Sequence, residues 1–493
     1  MNLTKKLFSY IVAIAMIFTL TAFAGGAVNA ADTTYKLTLT GTTTGHTYEA
    51  YQIFAGDLST NNDGTKVLSN VEWGNGVTYT GNESAADVAK ALGDGTMTIA
   101  QLIDKLTLTT VAKTVTSAKD STVIDGLTAG YYLVKDKDGT QANTSDAYTK
   151  FIVQVVGDID VKVKSDVPTV TKKVQDKNDS TGETSGWQDS ADYDIGDDVP
   201  YQITGSMPDN IGDYTTYKYI FTDTMSKGLT FKTGSAKIMI GTTDVTGKFT
   251  ENVTTNDDGS TVTWTCDDLK TAGVELDSTT KVVVTYKATL NEKAVIGSAG
   301  NPNTVNLTYS NNPNKGGEGE TGKTPDDKNI VFTYKAVVNK VDQEQKTLAG
   351  AAFKLEKKNN QGVYNLVKSF TAGNDTTFEF KGLDDGDYKL TETTTPAGYN
   401  TITPIEFTIS ADHDTTADEP ALTRLSVTVT KGEATFTPDK DAGSLTTNVV
   451  NKKGSTLPET GGMGTTLLYA VGGVLVALAA AYIIISKKHE KAE

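Results

Sequence analysis

Tyr388-Lys389-Leu390-Thr391-Glu392-Thr393-Thr394-Thr395-Pro396-Ala397-Gly398-Tyr399 is the stretch on which the fold of this chain turns. Tyr388, Leu390 and Glu392 alternate with polar neighbours, so they share one face of a β-strand, and Pro396-Ala397-Gly398 ends it. A carboxylate on an apolar strand face is costly unless it is neutral or paired. Upstream, Val337-Val338-Asn339-Lys340-Val341-Asp342 puts Lys340 on the face of Val338. Downstream, Asn451 follows Val449 by two residues and shares its face. Singly these read as an edge lysine, a solvated glutamate and a turn asparagine. Together, on a first, a middle and a last strand, they specify one buried polar cluster.

The same alternation recurs along the chain. Short runs rich in Thr, Val and Tyr between turn signals predict an all-β protein of tandem sandwiches. Residues 31–164 form a first domain. Tyr35, Leu37 and Leu39 mark one strand, and two short helices are predicted around Ala85, Val88, Ala89, Leu92 and around Ile99, Leu102, Ile103, Leu106, the first capped by Asn82 or Ser84. Residues 165–314 form a second domain with strands at Val170-Lys172-Val174, Val199-Tyr201-Ile203, Val282-Val284 and Val305-Leu307-Tyr309. Gly, Pro and charge without apolar periodicity mark 315–328 as a linker. Residues 329–453 form a third domain, which contains the opening stretch.

Both ends are targeting segments. Residues 1–30 carry Lys5 and Lys6, an apolar stretch and Val28-Asn29-Ala30, the pattern of a cleaved secretory signal peptide. Residues 454–493 contain Leu457-Pro458-Glu459-Thr460-Gly461, an uncharged apolar run at 467–485 and a tail with Lys487, Lys488 and Lys491. The run is long enough to span a bilayer, and the lysines would stay on the cytoplasmic side, so everything before it faces outward. A net charge of -16 excludes a basic nucleic-acid surface. Cys266 is the sole cysteine, which excludes an intrachain disulfide and reads as a small buried or edge-strand residue without redox role. The three histidines, His46, His413 and His489, show no metal-ligand or nucleophile–base spacing, so neither cofactor nor metal is expected.

Three resemblances follow from these motifs. The order of Leu457-Pro458-Glu459-Thr460-Gly461, apolar span and basic tail resembles the cell-wall sorting signal of Gram-positive surface proteins. The stretch opening with Tyr388 resembles the E-box of Cna-B type pilin modules. The second domain resembles a Cna-A type module, through Lys172 (chosen over Lys173 by strand parity), Asp223 in Phe221-Thr222-Asp223-Thr224-Met225, and Asn303 in Gly300-Asn301-Pro302-Asn303-Thr304. Parity leaves Asn301 open beside Asn303. Together they resemble the major pilin subunit of sortase-assembled pili. The resemblance implies Ig-like sandwiches in an elongated array and spontaneous isopeptide bonds from Lys340 to Asn451 and from Lys172 to Asn303, assisted by Glu392 and Asp223. The chemistry is reasonable. Burial favours the neutral forms of an amine and a carboxyl, a neutral amine is a nucleophile, and a protonated acid can help ammonia leave.

The resemblance also implies an acceptor lysine before the second domain, in Ile159-Asp160-Val161-Lys162-Val163-Lys164. Lys164 aligns best with it. Val163 stands where the family commonly has proline, so Lys162 remains an alternative. The expected partners are a pilus-type and a housekeeping sortase, other copies of the chain, peptidoglycan and minor pilins, with the membrane involved only before sorting. Thr460 would be joined to Lys164 of the next copy. Isopeptide formation is a single-turnover self-modification, so the chain is not expected to be an enzyme. A wall-anchored monomeric adhesin is the alternative, and no catalytic carboxylate pair supports a hydrolase.

Overall fold

Strand alternation carries through into three successive β units in the computed structural model, which describes residues 33–60, 64–137, 139, 147–163, 167–317, 320–454 and 463–489. The signal-peptide stretch 1–30, Lys164 and residues 457–461 lie outside the described residues.

In the first unit, Tyr35–Thr40 pairs in parallel with Ile159–Lys162 and antiparallel with Ser121–Leu127. A second sheet is built on Thr47–Thr60 and Gly130–Asp136. The helices Ala85–Gly93 and Ile99–Asp104 form where the apolar spacing places them. Ser84, not Asn82, caps the first, its hydroxyl accepting from Asp87 N at 3.1 Å. Thr98 and Gln101 close a capping box on the second.

The second unit packs two sheets around one core. One sheet contains Val170–Val174, Asp198–Ser206, Lys281–Leu290 and Lys237–Ile240. The other contains Ser190–Asp192, Asp327–Phe332, Asn301–Ser310, Tyr219–Ser226, Gly259–Cys266 and Thr250–Asn256. The stretch 315–328, expected as a linker, therefore does not act as one. Thr321–Lys323 and Asp327–Phe332 both pair with Asn301–Ser310. Composition misleads here because the second strand begins on polar contacts before Ile330, Val331 and Phe332 enter the cores. Asp327 accepts from the Lys172 backbone N–H, and the Asn329 amide donates to the Lys172 carbonyl at 2.9 Å.

In the third unit, Tyr334–Asp342 and Ser444–Asn451 lie side by side and parallel, with Lys340 opposite Val449 and Asp342 opposite Asn451. The facing sheet runs Tyr364–Phe370, Ala352–Lys358, Gly386–Thr394, Ile405–His413, Leu422–Lys431. Met463–His489 is a helix whose 468–485 segment is long and apolar enough to cross a membrane.

The second and third units are docked. Lys357 Nζ lies 2.8 Å from Asp194 and 3.3 Å from Asp179, both of the second unit, and also contacts Asp384 of its own unit. Ile195 N donates to Gly382 O at 3.1 Å. Gly382 has φ +77°, and a Cβ there would sit 2.6 Å from the Ile195 side chain, so only glycine fits this approach.

Candidate functional site

Two buried polar clusters stand out, one in each docked unit. In the third unit, Lys340 has no solvent exposure, Asn451 none and Glu392 only 5%. The parallel pairing sets Asn451 two positions beyond Val449, whose carbonyl accepts from Lys340 Nζ at 2.9 Å. Across the core, Glu392 Oε2 accepts from Asn451 Nδ2 at 3.0 Å and from Ile402 N at 3.1 Å. Glu392 Oε1 and Asn451 Oδ1 have no hydrogen-bond partner among the described residues. Burial pushes the Lys340 ammonium down to about 8, with Glu392 and Asp342 opposing the shift. A minor but accessible share of the amine, roughly a tenth to a fifth, is therefore neutral near physiological pH. The structure joins Glu392 to Asn451 directly and places Lys340 Nζ on the carbonyls of Val341 and Val449, with Glu392 acting on it through charge.

In the second unit, Lys172, Asp223 and Asn303 are all fully buried. Lys172 Nζ lies 2.9 Å from both Asp223 oxygens. Burial lowers the lysine and raises the aspartate, each opposing the other's shift, so burial moves the pair toward the neutral amine and acid. Asn303 joins through Tyr286. Asn303 Nδ2 donates to the tyrosine Oη at 2.9 Å, and that hydroxyl donates to Asp223 and accepts from Lys172. Asn303 Oδ1 is unpartnered among the described residues. The rings of Tyr201 and Tyr286 stack at 5.3 Å and flank the ammonium at 4.9 and 5.0 Å. Asn301 does not enter this cluster. Its amide is committed to Val295 and Val331 backbone groups. Lys173 turns outward to Asp189. The Asn303 strand is not the last of its unit, since two further strands follow it.

Sequence reading missed Tyr286. In Val282-Val283-Val284-Thr285-Tyr286 it reads as an ordinary core aromatic, and only the register against Tyr201 reveals its hydroxyl's position.

Lys162 is exposed on Ile159–Lys162, opposite Thr40. Cys266 is buried in Gly259–Cys266, and burial raises its thiol. The docked junction gathers carboxylates that could hold a cation. Asp176, Asp192 and His413 offer ligand atoms within 4.8 Å of one another, as do Asp179, Asp194, Asp197 and Asp384. Lys357 already lies among the second group.

Comparison with known proteins accords with this architecture. Residues 335–420 match the SpaA family, a prealbumin-like fold domain. Residues 195–313 match the Gram-positive pilin backbone subunit 2 family, described as a Cna-B-like domain, where a Cna-A type was expected. Residues 449–492 match the LPXTG cell wall anchor motif. The chain is 28% identical over 260 residues to the trypsin-resistant surface T6 protein of Streptococcus pyogenes serotype M6. That alignment covers 48% of this chain and 44% of the relative, so it spans less than half of the relative's length. Among solved structures, the T6 backbone pilin of the same organism, described as a modular three-domain structure, superposes with a TM-score of 0.51 at 19% identity, covering 86% of this chain and 99% of that one. This likeness is one of fold. The full-length major pilin SpaD of Corynebacterium diphtheriae gives 0.48 at 20% identity, over 86% and 98%. The chain thus carries a pilin-backbone-type domain, a prealbumin-like domain and a cell-wall anchor motif, the build of a cell-wall-anchored surface pilin.

Proposed function

We propose that this chain is the shaft subunit of a covalent surface pilus, joined by a sortase from Thr460 to Lys164 of the next copy and braced by isopeptide bonds Lys340–Asn451 and Lys172–Asn303. The observation that carries this is the burial, in two successive domains, of a lysine, an acid and an asparagine, linked by hydrogen bonds through Tyr286 in the second and, in the third, with the acid on the asparagine and the lysine on the carbonyl of Val449, two residues before it. Ordinary stability does not call for such clusters, because replacing a buried ion pair by apolar residues is often neutral or stabilising. Their use is covalent. The amine attacks the amide carbon, the C–N bond to the amide nitrogen breaks, and ammonia leaves.

In the third domain the bond would join its first and last strands, which already lie parallel and adjacent. Tension entering at Lys164 and leaving at Thr460 would then bypass the interior of that domain. The match of residues 195–313 to the Gram-positive pilin backbone family supports the shaft reading over that of an isolated adhesin.

The test is an immunoblot of cell-wall extracts boiled in SDS. Wild type should give a ladder of high-mass species and Lys164→Ala a single wall-linked band. An unchanged ladder in Lys164→Ala and in Lys162→Ala would overturn the assigned linkage, and a single band in wild type would overturn the shaft reading.

A further inference from the structure

The two clusters solve the same problem with different parts. In the third domain Glu392 reaches Asn451 directly, Oε2 to Nδ2 at 3.0 Å. In the second domain the acid is an aspartate, one methylene shorter, and no hydrogen bond joins Asp223 to Asn303. Tyr286 fills that gap. Its hydroxyl is the one atom bonded to Asp223, Lys172 and Asn303 at once. Moreover, the Asn303 atom it touches is Nδ2, the nitrogen that must depart as ammonia. The tyrosine is fixed from the other side by its stack on Tyr201 and by tilted contacts with Phe231 and Trp264.

We propose that Tyr286 is a catalytic residue of the second domain's self-modification, relaying a proton from Asp223 to the leaving nitrogen of Asn303. This rests on the Lys172–Asn303 bond proposed above. The step balances as follows. The Lys172 ammonium gives one proton to Asp223, and the neutral amine adds to Asn303 Cγ, leaving negative charge on Oδ1 and positive charge on Nζ. Tyr286 passes its hydroxyl proton to Nδ2 and takes the Asp223 proton in exchange. The C–Nδ2 bond breaks as the carbonyl re-forms, and ammonia leaves. Nζ then returns a proton to the Asp223 carboxylate, from which it lies 2.9 Å away. Asp223 ends as the acid it was when the amine attacked, Tyr286 is unchanged, and one ammonia is lost. The third domain needs no such relay because its carboxyl already meets the leaving nitrogen.

The test uses the full chain, synthesised in a reconstituted translation reaction and quenched at intervals for peptide mass analysis. The Lys340–Asn451 crosslink in the same molecules serves as an internal clock. Tyr286→Phe keeps the ring, its stack and its contact with the ammonium but removes the relay. The expected result is Lys172–Asn303 formation slowed by about 100-fold, the lower end of what a positioned acid contributes, with the third-domain rate unchanged. Equal second-domain rates in wild type and variant overturn the relay. Absence of the Lys172–Asn303 crosslink in wild type overturns the bond itself, a separable outcome. Should Tyr286→Phe lose the protease resistance of the second domain, 2,3-difluorotyrosine introduced at position 286 preserves shape and hydroxyl while making it a stronger acid. The rate-against-pH profile of the second-domain bond is then expected to shift, and an unshifted profile overturns the proposal.

Discussion

Replacing Asn451 by alanine removes the electrophile of the third-domain cluster and leaves Lys340 as a buried free amine. Two effects should follow, and they separate by pH. The first is loss of the crosslink. A bond closing the loop from residue 340 to 451 contributes about 5 kcal/mol in the chain-entropy treatment of cross-links. The second is titration. Burial lowers Lys340 to about 8 from its ordinary value of 10.5. Between those values the unfolded chain binds more protons than the folded one, so the stability of the variant rises with pH across that window. The gain is fully present above about 10.5 and gone as pH falls through about 8. Its ceiling is about 3 kcal/mol. In the wild type the amine is consumed as an amide and cannot titrate. Groups remote from the cluster titrate alike in both proteins and cancel in the difference. Hydrogen exchange of Ser444–Asn451 at pH 7 and pH 10, corrected for intrinsic rates, measures it. A wild-type advantage of about 5 kcal/mol or more at pH 7 that narrows at pH 10 is expected. An advantage that is absent, or that stays constant with pH, would refute the reasoning.

Other outcomes follow from the same geometry. Glu392→Ala should abolish the third-domain crosslink and leave the second-domain one intact, and Asp223→Ala should do the reverse, each read by peptide mass analysis. Under force, the stretches from Lys164 to Lys172, from Asn303 to Lys340 and from Asn451 to Thr460 lie on the load path and are spanned by neither bond. Single-molecule pulling from the Lys164 and Thr460 ends should therefore release at most about 180 Å of contour, the reach of about 54 residues, and release from inside either clamped loop would contradict the account. At the junction, burial and the neighbouring Asp385 raise Asp176 to about 7, and burial with Asp194 raises Asp197 to about 6. Asp385 belongs to the third domain, so Asp176 holds its proton more tightly docked than undocked, and docking of the second domain on the third is strongest at acid pH and weakens as pH rises through about 7. Small-angle scattering of the ectodomain at pH 5 and pH 8 should show a wider spread of domain angles at the higher pH. No change would remove the junction's carboxylates from that role.

Much of this was legible before any coordinates. Period-two alternation places Lys172, Lys340, Glu392 and Asn451 on inward faces, and burial follows because strands offer only two faces. Asn301 and Asn303 share parity, so the sequence could not separate them. Their different surroundings do, one amide tied to backbone and the other reaching Tyr286. The strands at Thr321–Lys323 and Asp327–Phe332 were hidden by Gly, Pro and charge, since polar bonds to Lys172 rather than apolar burial hold Asp327 and Asn329 in place. The Lys357 network was invisible for a different reason. Asp384 is remote in sequence from Asp179 and Asp194 and joins them on Lys357 only where the two domains dock, an approach that Gly382 permits at Ile195.

The central claim is that two buried lysine–asparagine pairs are covalently joined. The intact mass of the mature ectodomain, compared with its sequence mass, tests it most directly. The account predicts a deficit of two ammonias, falling to one in Lys172→Ala and to one in Lys340→Ala. A mass equal to that of the sequence would contradict it.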